Sequence, residues 1–93
     1  MELQVTGVGK TNVPADATAV VINVTGVLTT TDGHVIVFPC GTTRPTTSNL
    51  NLKAGSITPN LVISKIGVGG RVCLYTSAAT DLLADVAGYH AAA

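Results

Sequence analysis

Charge is scarce in this sequence, and aromatic rings are scarcer. Only 11% of its 93 residues are Asp, Glu, Lys or Arg, five acidic against five basic. No basic stripe exists to neutralise a phosphate backbone, so nucleic acid is not an expected partner. There is no Trp, one Phe and two Tyr. The core therefore has to be aliphatic, and a sugar site would have few rings to stack on. No run of 18 apolar residues occurs, so membrane insertion by a helix is not expected. Residues 1–20 hold neither a basic start followed by a hydrophobic stretch nor a small-residue cleavage site. The expectation for a secreted form is a signal already removed. Helical periodicity is missing too, since even Ser77-Ala-Ala-Thr80 is too short to make a useful turn.

What remains is β-branched. Thirteen Val, five Ile and fourteen Thr make up about a third of the chain, and such side chains fit a pleated, half-buried surface better than a helix. The class that follows is all-β in a single domain, residues 1–93, because a chain this short holds one core. Seven strands are expected: 3–6, 19–27, 34–38, 48–53, 61–66, 71–75 and 81–89. In the second, Val20, Ile22 and Val24 share one face and should look inward, opposite Val21, Asn23 and Thr25. Leu50 and Leu52 alternate with Asn49 and Asn51 in the same way. Asp32-Gly33 reads as a type I′ hairpin joining the second and third strands, Ala54-Gly55 as a turn, and Gly67-Val-Gly-Gly70 as a tight hairpin between the fifth and sixth. The architecture expected is an antiparallel β-sandwich of two sheets about 10 Å apart. A small closed barrel is the alternative.

Cys40 and Cys73 are the only cysteines, and each follows or interrupts a β-branched run. They lie 33 positions apart, outside redox-motif spacing, and read as one structural disulfide between neighbouring strands. Two free buried thiols and half of a metal site are the competing readings. A disulfide implies an oxidising, extracellular address.

The motifs that carry chemistry are weak. Gly7-Val-Gly-Lys-Thr11 ends like a phosphate loop, but Gln4 stands where that loop needs its first glycine, so an inter-strand turn is the better reading. Ser48, Ser56, Ser64 and Ser77 lie outside any nucleophile-elbow pattern, and His34 and His90 read as surface histidines. No catalytic residue, metal site or cofactor is expected. Asp85 shares a strand face with Leu83, Ala87 and Tyr89, so its carboxylate should need a hydrogen-bonded network, with Arg44, Arg71, Asn49 or Asn51 as donors. Arg44, Ser48, Asn49 and Asn51 also make the best candidate ligand-binding set, since Arg with hydroxyls and amides suits sugars or carboxylates. Asn23-Val-Thr25 is a glycosylation sequon by pattern and a strand-face polar residue by position.

Four segments together carry a resemblance: Val13-Pro-Ala-Asp-Ala-Thr-Ala-Val-Val-Ile-Asn-Val-Thr25, Phe38-Pro-Cys-Gly-Thr-Thr-Arg-Pro-Thr-Thr-Ser-Asn-Leu-Asn51, Pro59-Asn-Leu-Val-Ile63 and Ala84-Asp-Val-Ala-Gly-Tyr89. From Leu3 to Tyr89 the chain resembles a recurrent β-rich module of secreted actinobacterial and related bacterial extracellular proteins, to which no activity is attached. The resemblance implies an extracellular address and the Cys40–Cys73 bridge. Such modules often carry an upstream Arg-Leu-Leu-Asp-Thr-Arg-like segment that these residues lack, which implies a minimal unit with an unpaired sheet edge. Two functional expectations follow. One is a non-enzymatic structural module of an extracellular or cell-surface assembly, a self-associating filament subunit whose partners are its own copies or neighbouring modules. The other is an adhesion or carbohydrate-binding module that meets cell-surface polysaccharide.

Overall fold

Val20, Ile22 and Val24 are fully buried in the computed structural model, which describes residues 1–6, 13–46 and 48–91. They lie on β2 (Ala19–Val27), whose alternate residues are half-buried throughout, as a two-residue period requires. Around it the described residues form β1 (Glu2–Gln4), β3 (Gly33–Pro39), β4 (Leu50–Leu52), β5 (Thr58–Lys65), β6 (Arg71–Thr76) and β7 (Asp81–His90). A short 3-10 turn, Val68–Gly70, precedes β6.

The strands make two antiparallel sheets, β1-β6-β3-β4 and β5-β2-β7. This is the sandwich, and neither sheet closes into a barrel. Val35, Val37, Leu50, Leu52, Val72 and Leu74 from the four-stranded sheet meet Val20, Ile22, Val24 and Val62 from the three-stranded one, with Val5, Val13 and Ala17 completing the cluster. Every member is aliphatic, as the shortage of rings dictates. Phe38 and Tyr75 are half-buried outside that cluster, and Tyr89 is exposed.

Both expected glycine hairpins are absent. β2 and β3 belong to different sheets, and so do β5 and β6. Positive φ near the first site falls on Leu28 (53°), not on Asp32-Gly33. The chain crosses the end of the sandwich there instead. Thr29 is buried and its hydroxyl pairs with that of Thr80 at 2.9 Å, while Asp32 Oδ1 accepts the Ala54 N–H at 2.9 Å. The physical reason is burial. A hairpin would leave the Val20-Ile22-Val24 face and the Val35-Val37 face side by side in one sheet, whereas the crossover lays one over the other and removes both from water.

At the second site the Gly67 N–H donates to Arg71 O at 3.0 Å and the Val68 N–H to Cys40 O at 2.9 Å. A Cβ on Gly67 would overlap the Cys40 backbone. Gly70 has φ of 74° and presses on Thr6, while its carbonyl accepts the N–H groups of Val5 and Thr6. These glycines serve a tight crossing between sheets. The Ala54-Gly55 turn forms as expected, closed by the Ser56 N–H donating to Lys53 O at 3.0 Å.

One irregularity changes which side chains share a face. Along β7, Gly88 pairs with Val21 and Val86 with Ile22, so Ala87 is an extra residue. This bulge reverses the alternation beyond it, and Tyr89 comes to lie opposite Val20, on the other side from Leu83 and Asp85.

Candidate functional site

Cys40 and Cys73 are joined, their Cα atoms 5.0 Å apart. Cys73 sits opposite Phe38 on the outer side of β6, and Cys40 follows β3 directly, so the bridge links two strands already paired. The Glu2 carboxylate lies within 4.8 Å of both sulfurs. Because each sulfur is bonded to the other, neither offers a thiolate to a metal.

Beyond Cys40 the chain folds over the outer face of the four-stranded sheet. His34, Ile36 and Phe38 of β3 point to that face, since Val35 and Val37 point into the core. Ile36 is buried there without joining the inter-sheet cluster, and it pairs with Tyr75 on β6. The Arg44 guanidinium lies 3.8 Å from the Tyr75 ring centroid, a cation–π contact. His34 is tilted against the same ring, centroids 6.0 Å apart, and pairs across the sheet with Asn51. The Ser48 hydroxyl donates to Asn51 Oδ1 at 3.2 Å. Three of the four expected ligand residues, Arg44, Ser48 and Asn51, are thus gathered around His34 and Tyr75.

Asn49 does something else. Its Oδ1 accepts the Val37 N–H at 2.7 Å, its N–H donates to Val35 O at 2.9 Å, and its carbonyl accepts the Asn60 amide. β4 begins at Leu50, opposite Val35, too late in the chain to offer Val37 a backbone partner, so the Asn49 side chain supplies one in place of a strand. That commits it to the fold.

Asp85 does not join Arg44, Asn49 and Asn51. It is exposed on the outer face of the other sheet, opposite Asn23, and among the described residues no donor reaches its carboxylate. β7 is apolar on both faces, and the buried side is Leu82, Ala84 and Val86, not the Leu83-Asp85-Ala87 side. The carboxylate stays in water and needs no network. Asn23, at the sequon, is a half-buried strand-face residue. The Gly7–Thr11 segment lies outside the described residues.

A serine and a histidine do meet. Ser77 Oγ is 3.2 Å from His34 Nδ1, and the same oxygen accepts the His34 backbone N–H at 2.9 Å. Among the described residues no carboxylate bonds the imidazole, the place that the orienting third group takes in a nucleophilic triad. Sequence reasoning missed the role of His34 and Tyr75 in this cluster. The available signal was that both fall at outward positions of strands flanking the core.

The outer face of the three-stranded sheet has the opposite character. Leu61, Ile63 and Leu83 are exposed by 59%, 65% and 57%. Cross-strand pairing sets Ile63 beside Val21, Leu61 beside Asn23, and Leu83 and Pro59 on either side of Thr25. Lys65 is the only basic residue on these strands apart from His90. Among the described residues no helix is long and apolar enough to cross a membrane. Comparison with known proteins finds no family that matches the chain, and no similar curated protein or solved structure.

Proposed function

We propose that this chain is a non-enzymatic structural module of an extracellular or cell-surface assembly, and that it associates with copies of itself to build a filament. The observation that carries this reading is the outer face of the β5-β2-β7 sheet. Leu61, Ile63 and Leu83 lie there in water on one side of one sheet, with Asn23, Thr25 and Asp85 between and beside them, and exposed apolar side chains rimmed by polar ones are the composition of an association surface. Low charge adds little electrostatic resistance to association. The disulfide favours an oxidising compartment, in line with the resemblance to secreted bacterial modules. Sedimentation velocity and negative-stain microscopy of purified protein test it. A species that stays monomeric at high concentration rejects it.

A second reading, adhesion through a surface polysaccharide, draws on the cluster of Arg44, Ser48 and Asn51 around His34 and Tyr75. Arg44 covers the ring face on which a sugar would stack, which weighs against it. A polysaccharide pull-down with Arg44→Ala as control separates the two. Retention on a glycan that Arg44→Ala abolishes favours adhesion, and no retention removes it.

A further inference from the structure

Two open sheets leave four outer strands, and three of them are poor templates for further pairing. β1 and β4 have three residues each, and β5 carries Pro59 near its start and Lys65 at its end. These are recognised devices for blunting a sheet edge. β7 lacks them. It runs for ten residues without Pro or Lys, and among the described residues no strand pairs with its second side. Its inward side chains Leu82, Ala84 and Val86 are only half-buried, although they pack against the core. A groove of about 710 Å³ opens beside the first of them, Leu82, between Met1, Leu74 and Thr76 on one bank and Thr80 and Leu82 on the other.

Resting on the self-association reading above, we propose that β7 pairs antiparallel with β7 of a second copy, about a two-fold axis at Ala84. Such an axis, normal to the sheet, must pass through a residue paired with its own copy, because residues directly opposite point to the same face. Charge then selects the register. An axis at Leu83 sets Asp81 against Asp85 of the second copy, and an axis at Asp85 sets the two Asp85 carboxylates against each other. Both oppose like charges on one face. An axis at Val86 drives the pairing through the Ala87 bulge, and one at Leu82 leaves half of the regular stretch unpaired. At Ala84 the inner face pairs Leu82 with Val86 of the second copy, and the outer face pairs Leu83 with Asp85.

Area points the same way. Three strands at about 4.8 Å spacing, nine residues long at about 3.3 Å each, give a face of about 400 Å². A standard interface takes about 800 Å² of accessible surface from each partner, so one outer face of this plan area is a small platform for stacking a second copy. Joining two β7 edges makes a six-stranded sheet whose outer face is twice as large. The pairing thus also builds the surface that further assembly needs.

Sedimentation equilibrium from micromolar to millimolar protein tests this. The wild-type chain is expected to dimerise reversibly. Ala84→Lys, which places two ammonium groups opposite each other at a half-exposed position, should weaken the dimer at least tenfold. Ala84→Cys should cross-link to its own copy under mild oxidation, since directly paired Cβ atoms lie within about 5.5 Å, whereas Ala87→Cys should not. Circular dichroism and the intact mass of the Cys40–Cys73 bridge verify that each variant has folded, and Ala84→Cys decides if Ala84→Lys has not. A dimer that tolerates Ala84→Lys, or that fails to cross-link through position 84, overturns the β7 interface and leaves self-association standing. A wild-type monomer at every concentration overturns both.

Discussion

Reducing the Cys40–Cys73 bridge should remove a large part of the stability of this domain. The cross-link spans 33 residues, and a loop of that length restricts the unfolded chain by about 12 to 13 cal/mol/K, or about 3.7 kcal/mol at 25 °C. The native strands lose little, because β3 and β6 are held by their own backbone ladder, with Phe38 opposite Cys73 and Val37 opposite Leu74. A chain of 93 residues has a net stability of about 5 to 14 kcal/mol. The bridge therefore accounts for between a quarter and most of it, equivalent to a fall in Tm of about 15 to 30 °C. Urea unfolding of the oxidised protein, of the reduced protein and of the Cys40→Ala, Cys73→Ala double variant measures the difference. The denaturant slope should rise on reduction, because an uncross-linked unfolded chain exposes more surface. Unfolding curves for the three species that agree within about 1 kcal/mol would refute the reasoning.

Other substitutions probe separate parts of the argument. Ile22→Ala empties a fully buried position on β2 and should cost about 2 to 5 kcal/mol, against about 0.5 to 1.5 for Ile22→Val, by chemical denaturation. Gly67→Ala pushes a methyl group into the Cys40 backbone and should cost about 1 to 3 kcal/mol. A neutral Gly67→Ala would show that the β5–β6 crossing is not packed as described. Asn49→Ala leaves the Val37 N–H without its acceptor and should cost about 1 to 3 kcal/mol, with the Val37 amide losing protection in hydrogen exchange. Arg44→Ala removes an exposed cation–π contact worth about 0.5 to 1 kcal/mol, so thermal melts should barely move.

Strand positions, to within three residues at either end, and the inner faces of β2 and β4 were legible in the sequence because a period of two needs only local information. Val20, Ile22 and Val24 and the Leu50–Leu52 pair read correctly for that reason. Partners were not legible. Asp32-Gly33 and Gly67–Gly70 have the composition of hairpin turns, and the same composition suits a crossing between sheets, where the deciding energy is burial against a distant strand. Asp85 was misread because β7 has apolar residues on both faces, and the Ala87 bulge that reverses its alternation leaves no mark in composition. Around the candidate site, Arg44, Ser48 and Asn51 could be picked out by type. Tyr75 and His34, which hold them together, are brought to one surface only by the pairing of β3 with β6 and β4. Asn49 showed its polarity but not its use, since nothing local reveals that β4 stops short of Val37.

Of the six connections between consecutive strands, only the one from β3 to β4 joins neighbours in the same sheet. Every other ladder waits for a segment far along the chain: β1 needs β6, and β2 needs β5 and β7. Early in folding there is almost no short-range structure to build on, and the loops must close before the contacts reward them. Acquisition of the native state belongs to the slow, millisecond-to-second class of all-β domains. During that interval β7 travels without a partner, which makes the nascent chain more prone to mispairing than the finished sandwich.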